Sequence, residues 1–489
     1  MPRRLLTKSR YLYGLQCPKY LWVSFYEPEK LAEPDAATQY AFDQGIMVGE
    51  LAKKLFPDGV DVPAGDFMGN IRETKRLLSE RRTVFEAGIM DGNVYSRIDI
   101  LKPVNENEWD IIEVKSSTRV KDVDIQDVAF QQFCCRQAGL ELRKCFLAHI
   151  NREYVRQGEV EPGKLFALED ITDRVAEISD GVPGNVKAML ELIAADSCPD
   201  VTIGSQCNSP YGCPIAECWS FLPDGSVFEL HRGGQKRFDL FNDGILSIND
   251  IPDNYRLTDG QRIQRQSVLS GQTYLDRPKI EEFLRSLQYP VYYLDFETFN
   301  PAVPPFDGTR PYQLIPFQFS LNVVNSWESE PEPEHHSFLA DGREDPRPEL
   351  LSALKRYIGD WGSILVYNQA FEKGVFNGLG RAFPEYNDWI QDLLGRFIDL
   401  WEPFRKFWYY HPAQKGSGSL KAVMPSLTGR GYEGLDIAEG GFASVEYQRV
   451  TYGDVPEEER SRVRADLEEY CGRDTEGMIW IVEALRGIS

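Results

Sequence analysis

The stretch "VYYLDFETFN", residues 291–300, constrains the fold most, because two acids stand in the middle of an otherwise apolar strand. Side chains at i and i+2 of a strand point to the same face, so Asp295 and Glu297 are predicted to be neighbours. Two like charges repel each other in apolar surroundings, and each is costly to leave ionised without a counterion. Divalent cations bound between them would remove this conflict, and a pair of such cations can hydrolyse a phosphodiester.

The length and composition indicate a protein with more than one domain. At 489 residues the chain is long enough for two or three domains, and its 42% hydrophobic and 27% charged residues are typical of a protein with real cores. The sequence contains no run of 18 apolar residues, so no membrane span is predicted. Nine cysteines in so long a chain favour a reducing compartment, and we expect a cytoplasmic protein.

The net charge of −22 limits the kinds of nucleic-acid binding that the chain can support. It argues against binding through a broad basic surface. It does not exclude an enzyme that binds phosphates through metal ions, because clustered acids are the groups that hold such ions.

The sequence pattern divides the chain into three regions and predicts an α/β fold class. Residues 1–220 mix helices and strands, and a new α/β pattern occupies residues 289–489. Residues 221–288 are rich in turn signals, which predicts a linker. The alternative is a helical segment that contacts nucleic acid, with half of a helix-hairpin-helix motif in "FNDGILSINDIP" and help from Arg262 and Arg265.

The third region supplies further acids after its first strand. "YNQAFEKGVF" places Asn368 and Glu372 four residues apart, and "YCGRDTEGM" places Tyr470 and Asp474 at the same spacing. Residues four apart lie on one face of a helix. Taken alone, Tyr470 would be a core residue and Glu372 a surface charge; after the acidic strand, both are candidates for the same site.

This set of motifs resembles the DnaQ-type 3′–5′ exonucleases of the RNase H-like fold, with a strand carrying D-x-E, a later N-x-x-F-D and a terminal helix with Y-x-x-x-D. The resemblance implies a site for Mg²⁺ or Mn²⁺ in which Tyr470 orients the attacking water. The metal ligands that it implies are Asp295, Glu297, Glu372 and Asp474. Glu372 departs from the family pattern, which has Asp at that position, and Asp399 in "RFIDLW" is a reserve acid.

The first region contains a second acidic pattern, "SRIDILKPVNENEWDIIEVKSS". Asp99 lies on one strand, and Glu113 and Lys115 share a face of the next. Such residues can hold a metal and orient water, although charges at a sheet edge also serve to block aggregation. The pattern resembles the PD-(D/E)XK nucleases, and within them the RecB-like group, whose helix glutamine is matched by Gln131. The resemblance implies a restriction-endonuclease-like domain in which Asp99 and Glu113 bind metal.

Four cysteines flank this first pattern. Cys17 precedes it in "GLQCPKYLW", and Cys207, Cys213 and Cys218 follow it in "GSQCNSPYGCPIAEC". This layout resembles the iron–sulfur nucleases, namely the CRISPR-associated RecB-like exonucleases and the AddB-type helicase–nucleases, and implies a [4Fe–4S] cluster. Zinc is the alternative, although structural zinc sites usually show two close C-x2–4-C pairs. The remaining cysteines, with Cys198 a substitute ligand, are predicted to be free thiols: Cys134, Cys135, Cys145, Cys198 and Cys471.

One departure affects the first site. RecB-like nucleases commonly place a histidine in the first helix as G-x-x-x-H, whereas "GIMVGE" has Gly49 at that position. Either Glu50 serves as the acid, or the metal is held more loosely. The joint arrangement of a RecB-like domain and a DnaQ-like domain resembles a bacterial family of predicted two-domain nucleases.

Together these patterns predict a metal-dependent nuclease with two active sites. The second would degrade nucleic acid from its 3′ end, and the first would cut or thread single-stranded DNA. DNA is the expected partner ahead of RNA, although no element that reads bases or sugars is visible. The alternative is a nucleic-acid-binding or scaffolding protein whose first site is degenerate.

Overall fold

The computed structural model describes residues 4–63, 65–327 and 333–488. The chain forms two compact units. The first contains Met1–Phe221 and Pro301–Gln313, and the second contains Leu222–Asn300 and Leu314–Ser489. Within the described ranges, none of the helices combines the length and the apolar character that crossing a membrane requires.

The first unit is a mixed α/β structure. Its strands are β1 (Leu6–Thr7), β2 (Val60–Asp61), β3 (Val84–Asp91), β4 (Val94–Pro103), β5 (Glu108–Lys115), β6 (Glu141–Ile150) and β7 (Phe166–Asp170). Its α-helices are α1 (Lys8–Gln16), α2 (Pro18–Tyr26), α3 (Ala36–Lys53), α4 (Phe67–Ser79), α5 (Asp122–Gln137), α6 (Pro162–Leu165), α7 (Thr172–Ser179) and α8 (Val182–Ala194). Short 3₁₀ helices are Pro28–Lys30, Ser205–Asn208 and Ala216–Trp219.

The strands of the first unit form one sheet in the order β2-β3-β4-β5-β6-β7, and β1 pairs with the start of β4. The strands β3, β4 and β5 are antiparallel neighbours, whereas β6 is parallel to β5. The parallel step needs a crossover, which α5 provides between β5 and β6.

Both faces of this sheet are covered by helices. Ile111 of β5 packs in a core with Val128 of α5, whereas Ile112 packs in a separate core with Val48 of α3. Because side chains alternate along a strand, Glu113 falls on the α5 face with Ile111. The sheet thus presents the E-x-K pair to helix α5.

The second unit is also α/β. Its strands are β8 (Tyr274–Leu275), β9 (Val291–Phe299), β10 (Ile315–Val324), β11 (Glu334–Leu339), β12 (Ser363–Val366), β13 (Phe397–Asp399) and β14 (Tyr409–Tyr410). Its α-helices are α9 (Gln235–Asn242), α10 (Asp259–Ser270), α11 (Arg277–Arg285), α12 (Arg347–Tyr357), α13 (Gln369–Ala382), α14 (Asn387–Gly395), α15 (Glu402–Arg405), α16 (Leu420–Thr428), α17 (Gly440–Tyr452) and α18 (Glu457–Ile488). Its 3₁₀ helices are Val227–Glu229, Ile248–Asp250, Pro384–Tyr386 and Pro412–Gln414.

The main sheet of the second unit has the order β11-β10-β9-β12-β13. The strands β11, β10 and β9 are antiparallel neighbours, and β12 and β13 run parallel to β9. The strands β8 and β14 form a separate antiparallel pair.

The central strand β9 divides its side chains between two cores. Val291 and Tyr293 pack with Met478 of α18, whereas Tyr292 and Leu294 pack in a second core on the other side of the sheet. Asp295 and Glu297 continue the odd-numbered face, which is the face that α18 covers. The alternation that positions the core residues therefore also aims the two acids at α18.

The sequence predicts a linker over residues 221–288. Phe221 belongs to the first unit, and residues 222–288 fold mainly as short helices within the second. Helix α10 begins with a capping box, in which Thr258 accepts from the Gln261 N–H and the Gln261 side chain accepts from the Thr258 N–H. The segment surrounds a small core of its own, formed by Val227, Leu230, Leu240, Ile248, Ile251 and Leu257. A segment with its own core is a folded part of the unit and not an extended connection.

Candidate functional site

Three of the predicted ligands come together in the second unit. One carboxylate oxygen from each of Asp295, Glu297 and Asp474 lies within 4.8 Å of the others. Glu297 and Asp474 are buried and Asp295 is partly exposed. The strand β9 supplies the first two side chains, as their i, i+2 spacing predicts, and α18 supplies the third.

The fourth predicted ligand, Glu372, lies outside this group of three. It is in the first turn of α13 and buried, and its charge contributes to the pKa of Asp295. Its Oε2 atom is buried and has no hydrogen-bond partner among the described residues. The reserve acid Asp399 has a structural position: its Oδ1 accepts from the Asn368 and Trp401 N–H groups, each at 3.0 Å.

The pKa values of the three grouped carboxyls and of nearby Glu372 are raised above their ordinary values. Burial raises the pKa of Asp295, and the charges of Asp474 and Glu297 add to the effect. Burial likewise raises the pKa of Glu297 and of Glu372 to about 8 each, and that of Asp474 to about 6. Carboxyl groups that are costly to ionise in the folded protein are stabilised most by a bound cation. Oxygen donors of this kind are the ligands that Mg²⁺ and Mn²⁺ prefer, so this donor set fits the predicted metals.

Two tyrosines border the carboxylates. The side chain of Tyr470, one helical turn before Asp474, hydrogen-bonds to that carboxylate, and burial together with the Asp474 charge raises the pKa of Tyr470. The hydroxyl of Tyr432 also donates to Asp474 Oδ1. Tyr432 was missed by the sequence analysis, because it lies between α16 and α17 in no recognisable motif.

Lys421 brings a positive charge to the same site. Its Nζ atom lies 5.7 Å from the ring centre of Tyr432 and 5.5 Å from that of Tyr470. Its charge lowers the pKa of Glu297 and Asp474 and so opposes part of the rise caused by burial. Lys421 is exposed, so it is available to attract an anionic substrate.

The predicted residues of the first unit also converge. Lys115 Nζ lies 2.6 Å from Glu113 Oε1, and the Val114 N–H donates to Asp99 Oδ2 at 2.9 Å. Gln131 Nε2 donates to Glu113 Oε2 at 2.7 Å. The sheet and α5 therefore bring all four predicted side chains to one place.

Two further residues of this site were missed. Asp127 accepts from Lys115 Nζ at 2.7 Å and from Gln131 Nε2 at 3.1 Å. Its spacing of four before Gln131 places both on one face of α5, and this signal was available in the sequence. Lys8, the first residue of α1, lies 2.8 Å from Glu113 Oε1, and nothing in its sequence context indicated this contact.

The lysines reverse the electrostatics seen in the second unit. Burial raises the pKa of Glu113, but Lys115 and Lys8 outweigh it and hold that pKa well below its usual range. The pKa of Asp99 rises to about 7, because burial and the Glu113 charge exceed the effect of the lysines. With two ammonium groups among its carboxylates, this cluster does not fit a divalent cation in the arrangement observed.

The expected substitute for the missing histidine does not reach the cluster. Gly49 faces open space, and Glu50 is exposed and ion-paired with Lys53 at 2.6 Å. Lys53 in turn pairs with Asp61. The hypothesis that Glu50 serves as the acid of the first site is therefore wrong, because its carboxylate is directed to a surface ion pair.

The four predicted cluster cysteines lie close together. Burial raises the pKa of Cys213, and the charges of Cys207, Cys17 and Cys218 add to that rise. The Cys213 N–H donates to the Cys207 carbonyl at 2.8 Å. All four are free thiols, and Cys17, Cys213 and Cys218 share one small core. Thiolates of this number suit an iron–sulfur cluster.

The remaining cysteines and the two arginines take separate positions. The thiols of Cys134, Cys135, Cys145 and Cys471 are free and buried, and that of Cys198 is free and exposed. Arg262 pairs with Asp259, and Arg265 pairs with Asp253 at 2.8 Å. Both arginines line a surface cleft of about 590 Å³ with Arg256. Because Arg262 and Arg265 are already paired with acids, their charges are partly neutralised within the protein.

Comparison with known protein families gives a match that lies mainly in the second unit. A family described as a domain of unknown function (DUF2779) matches residues 292–419. This range contains Asp295, Glu297 and Glu372, and it ends before α18 with Tyr470 and Asp474. No curated protein matches the chain. The match therefore covers the strand side of the carboxylate group but not the helix that completes it.

Proposed function

We propose that this protein is a metal-dependent nuclease whose second unit hydrolyses phosphodiester bonds as a 3′–5′ exonuclease. The observation that carries the proposal is the group formed by Asp295, Glu297 and Asp474, three carboxylates within 4.8 Å. Buried like charges at this distance destabilise the fold unless cations or protons neutralise them. Protein folds retain such conflicts mainly at functional sites.

The proposed ligands are the three grouped carboxylates, with Glu372 close by to complete or support the set. Bound Mg²⁺ or Mn²⁺ would supply charge stabilisation for the attacked phosphate and would lower the pKa of a bound water below that of bulk water. Tyr470 keeps its proton, since burial raises its pKa, and so can orient a water through its hydroxyl. The Tyr432 hydroxyl donates to the Asp474 carboxylate and helps to hold it in place. The exposed Lys421 would attract the phosphate backbone.

The direction of degradation and the substrate rest on the resemblance to DnaQ-type exonucleases, which implies single-stranded DNA ahead of RNA. The sheet order β11-β10-β9-β12-β13, with an acidic central strand, supports the RNase H-like fold that this resemblance implies. Phosphate contact through bound cations is also compatible with a net charge of −22.

The first unit is proposed to be a RecB-like domain of restriction-endonuclease-like fold, joined by a [4Fe–4S] cluster on Cys17, Cys207, Cys213 and Cys218. The convergence of Asp99, Glu113, Lys115 and Gln131 favours a second nuclease site there. A cluster on these thiols would tie the start of the unit to a segment nearly 200 residues later and so stabilise it.

A second candidate function is supported by Lys8. The Lys8 ammonium group lies among the carboxylates of the first unit. This arrangement favours a nucleic-acid-binding module with a degenerate site over a working nuclease. The two candidates differ only in the first unit, because the second unit carries the exonuclease proposal by itself.

The experiment that tests the proposal uses protein purified without oxygen and end-labelled single-stranded DNA and RNA, with and without Mn²⁺. We expect stepwise loss of nucleotides from the 3′ end of DNA in the presence of Mn²⁺ and none after chelation. Intact DNA and RNA under every condition, with the protein folded and loaded with Mn²⁺, would refute the enzymatic function and leave the binding module.

A further inference from the structure

The Lys8 ammonium group lies at the centre of the acidic cluster of the first unit. Its Nζ atom is 2.8 Å from Glu113 Oε1 and 3.8 Å from both Asp99 Oδ1 and Asp127 Oδ2. Glu113 and Asp127 are almost completely buried. Three carboxylates that surround one positive centre form the arrangement in which proteins hold a divalent cation.

The backbone fixes Lys8 to the sheet that carries its partners. Leu6 and Thr7 pair with Val94 and Tyr95 of β4, the strand on which Asp99 lies. The Thr7 hydroxyl accepts from the Arg10 N–H and caps helix α1, so Lys8 begins a regular helix. The position of the ammonium group is therefore set by a strand pairing and by the start of a helix.

Gln131 supplies an independent sign of a cation site. Its side chain is completely buried, and its Nε2 atom donates to Glu113 and Asp127. Its Oε1 atom has no hydrogen-bond partner within the described part of the chain. An amide carbonyl oxygen can bind hard divalent cations. Neither Lys8 nor Lys115 donates to this buried oxygen, so it remains available to such a cation.

The second unit offers the contrast. There, Lys421 lies over the rings of Tyr432 and Tyr470 and not between the carboxylates. In the first unit, Lys8 and Lys115 both lie within hydrogen-bond distance of Glu113. One cluster is left for an external cation, and the other contains its own.

We propose that Lys8 occupies the cation position of the first unit, so that a divalent cation binds to Asp99, Glu113 and Asp127 only when this ammonium group is removed or displaced. A cavity of about 270 Å³ adjoins Lys8 and Asp99 and gives a displaced side chain room to move. Lys8 thereby keeps the first unit closed to metal while the cluster stays neutralised. This inference concerns the first unit alone and does not depend on the exonuclease proposal.

The test measures Mn²⁺ bound per chain, by electron paramagnetic resonance, in the full-length protein. The variants Lys8→Met and Lys8→Gln remove the charge, and Lys8→Arg keeps it. Each substitution is made both in the natural protein and in the Asp295→Asn variant, and each product is compared with the protein from which it was made. The Asp295→Asn background removes Mn²⁺ at the second unit from the count. Lys53→Met is the matched control, because Lys53 also bridges two carboxylates, those of Glu50 and Asp61, but on the surface.

We expect Lys8→Met and Lys8→Gln to bind one more Mn²⁺ per chain than their parents, and Lys8→Arg and Lys53→Met to bind no more. A neutral variant that folds only in the presence of Mn²⁺ would support the proposal equally. Folded neutral variants with the Mn²⁺ content of their parents would overturn it. So would neutral variants that fail to fold with and without Mn²⁺, because Lys8 would then be a structural counterion that no divalent cation replaces.

Discussion

The substitution Glu297→Gln tests whether the carboxylates of the second unit are in electrostatic conflict without metal. Glutamine keeps the size and hydrogen-bonding capacity of the side chain and removes its charge. Burial, followed by the neighbouring charge of Asp474, raises the pKa of Glu297 from 4.5 to about 8. A carboxyl whose pKa is raised by folding binds more protons in the folded state, so stability is present at low pH and is lost as the pH rises toward 8.

The pKa sets the size of the effect. A change of one in pKa corresponds to about 1.4 kcal/mol, so ionising Glu297 at about pH 8 costs the folded protein on the order of 4 kcal/mol. When one of the neighbouring carboxylates binds a proton, the repulsion acting on the others falls. We therefore expect the free-energy cost to be about half of this value. For a unit of this size, about 2 kcal/mol moves the melting temperature by roughly 4–8 °C.

Differential scanning calorimetry of chelator-treated protein at about pH 4.5 and about pH 8.5 measures this effect. We expect Glu297→Gln to melt above the natural protein at the higher pH and close to it at the lower pH. Mn²⁺ should stabilise the natural protein and not the variant. The control Glu385→Gln changes an exposed acid of the same unit and should leave both curves unchanged. A melting temperature that falls in Glu297→Gln at both pH values would mean that Glu297 is a structural acceptor, and the reasoning would fail.

The other predictions concern the neighbouring groups. Tyr432→Phe removes a hydrogen bond to Asp474 and should weaken Mn²⁺ binding by about 10–100-fold in a direct titration; unchanged affinity would contradict the role given to Tyr432. Tyr470→Phe should keep Mn²⁺ affinity within a few-fold and lower the rate of 3′-end degradation by on the order of 100-fold. If the first unit is an active nuclease despite Lys8 and Gly49, Lys115→Ala should remove that activity and leave 3′–5′ degradation intact; if every activity is unchanged, the first unit is a binding module. Cys213→Ala should lower the iron content of anaerobically purified protein and destabilise the first unit, whereas stoichiometric zinc without iron would refute the cluster.

The geometry of the second unit was predictable because it depends on short-range periodicity. A strand repeats every two residues and a helix brings residues four apart together, so Asp295 with Glu297 and Tyr470 with Asp474 could be paired without knowledge of the fold. That β9 and α18 then meet is a long-range contact, which the sequence indicated only through the resemblance to a known family. The same short-range reasoning placed Glu113 and Lys115 on one face of β5.

The residues that were missed depend on contacts between distant parts of the chain. Lys8 reaches Glu113 across 105 residues, and Tyr432 reaches Asp474 across 42. No local pattern reports such contacts. The segment 301–313 belongs to the first unit for a similar reason: the Arg156 guanidinium donates to the Pro304 and Pro305 carbonyl groups. The core of residues 222–288 was missed because its apolar residues are scattered and show no period.

The most direct test of the account compares the natural protein with Asp295→Asn on 5′-labelled single-stranded DNA in Mn²⁺. With the natural protein, we expect a ladder of products that shorten from the 3′ end. With Asp295→Asn, we expect no ladder and no Mn²⁺ bound at the second unit, although the metal-free variant should melt no lower than the natural protein. Undiminished Mn²⁺-dependent degradation by Asp295→Asn, together with a marked fall in its metal-free melting temperature, would show that the acids of β9 are structural and that the active site is not there.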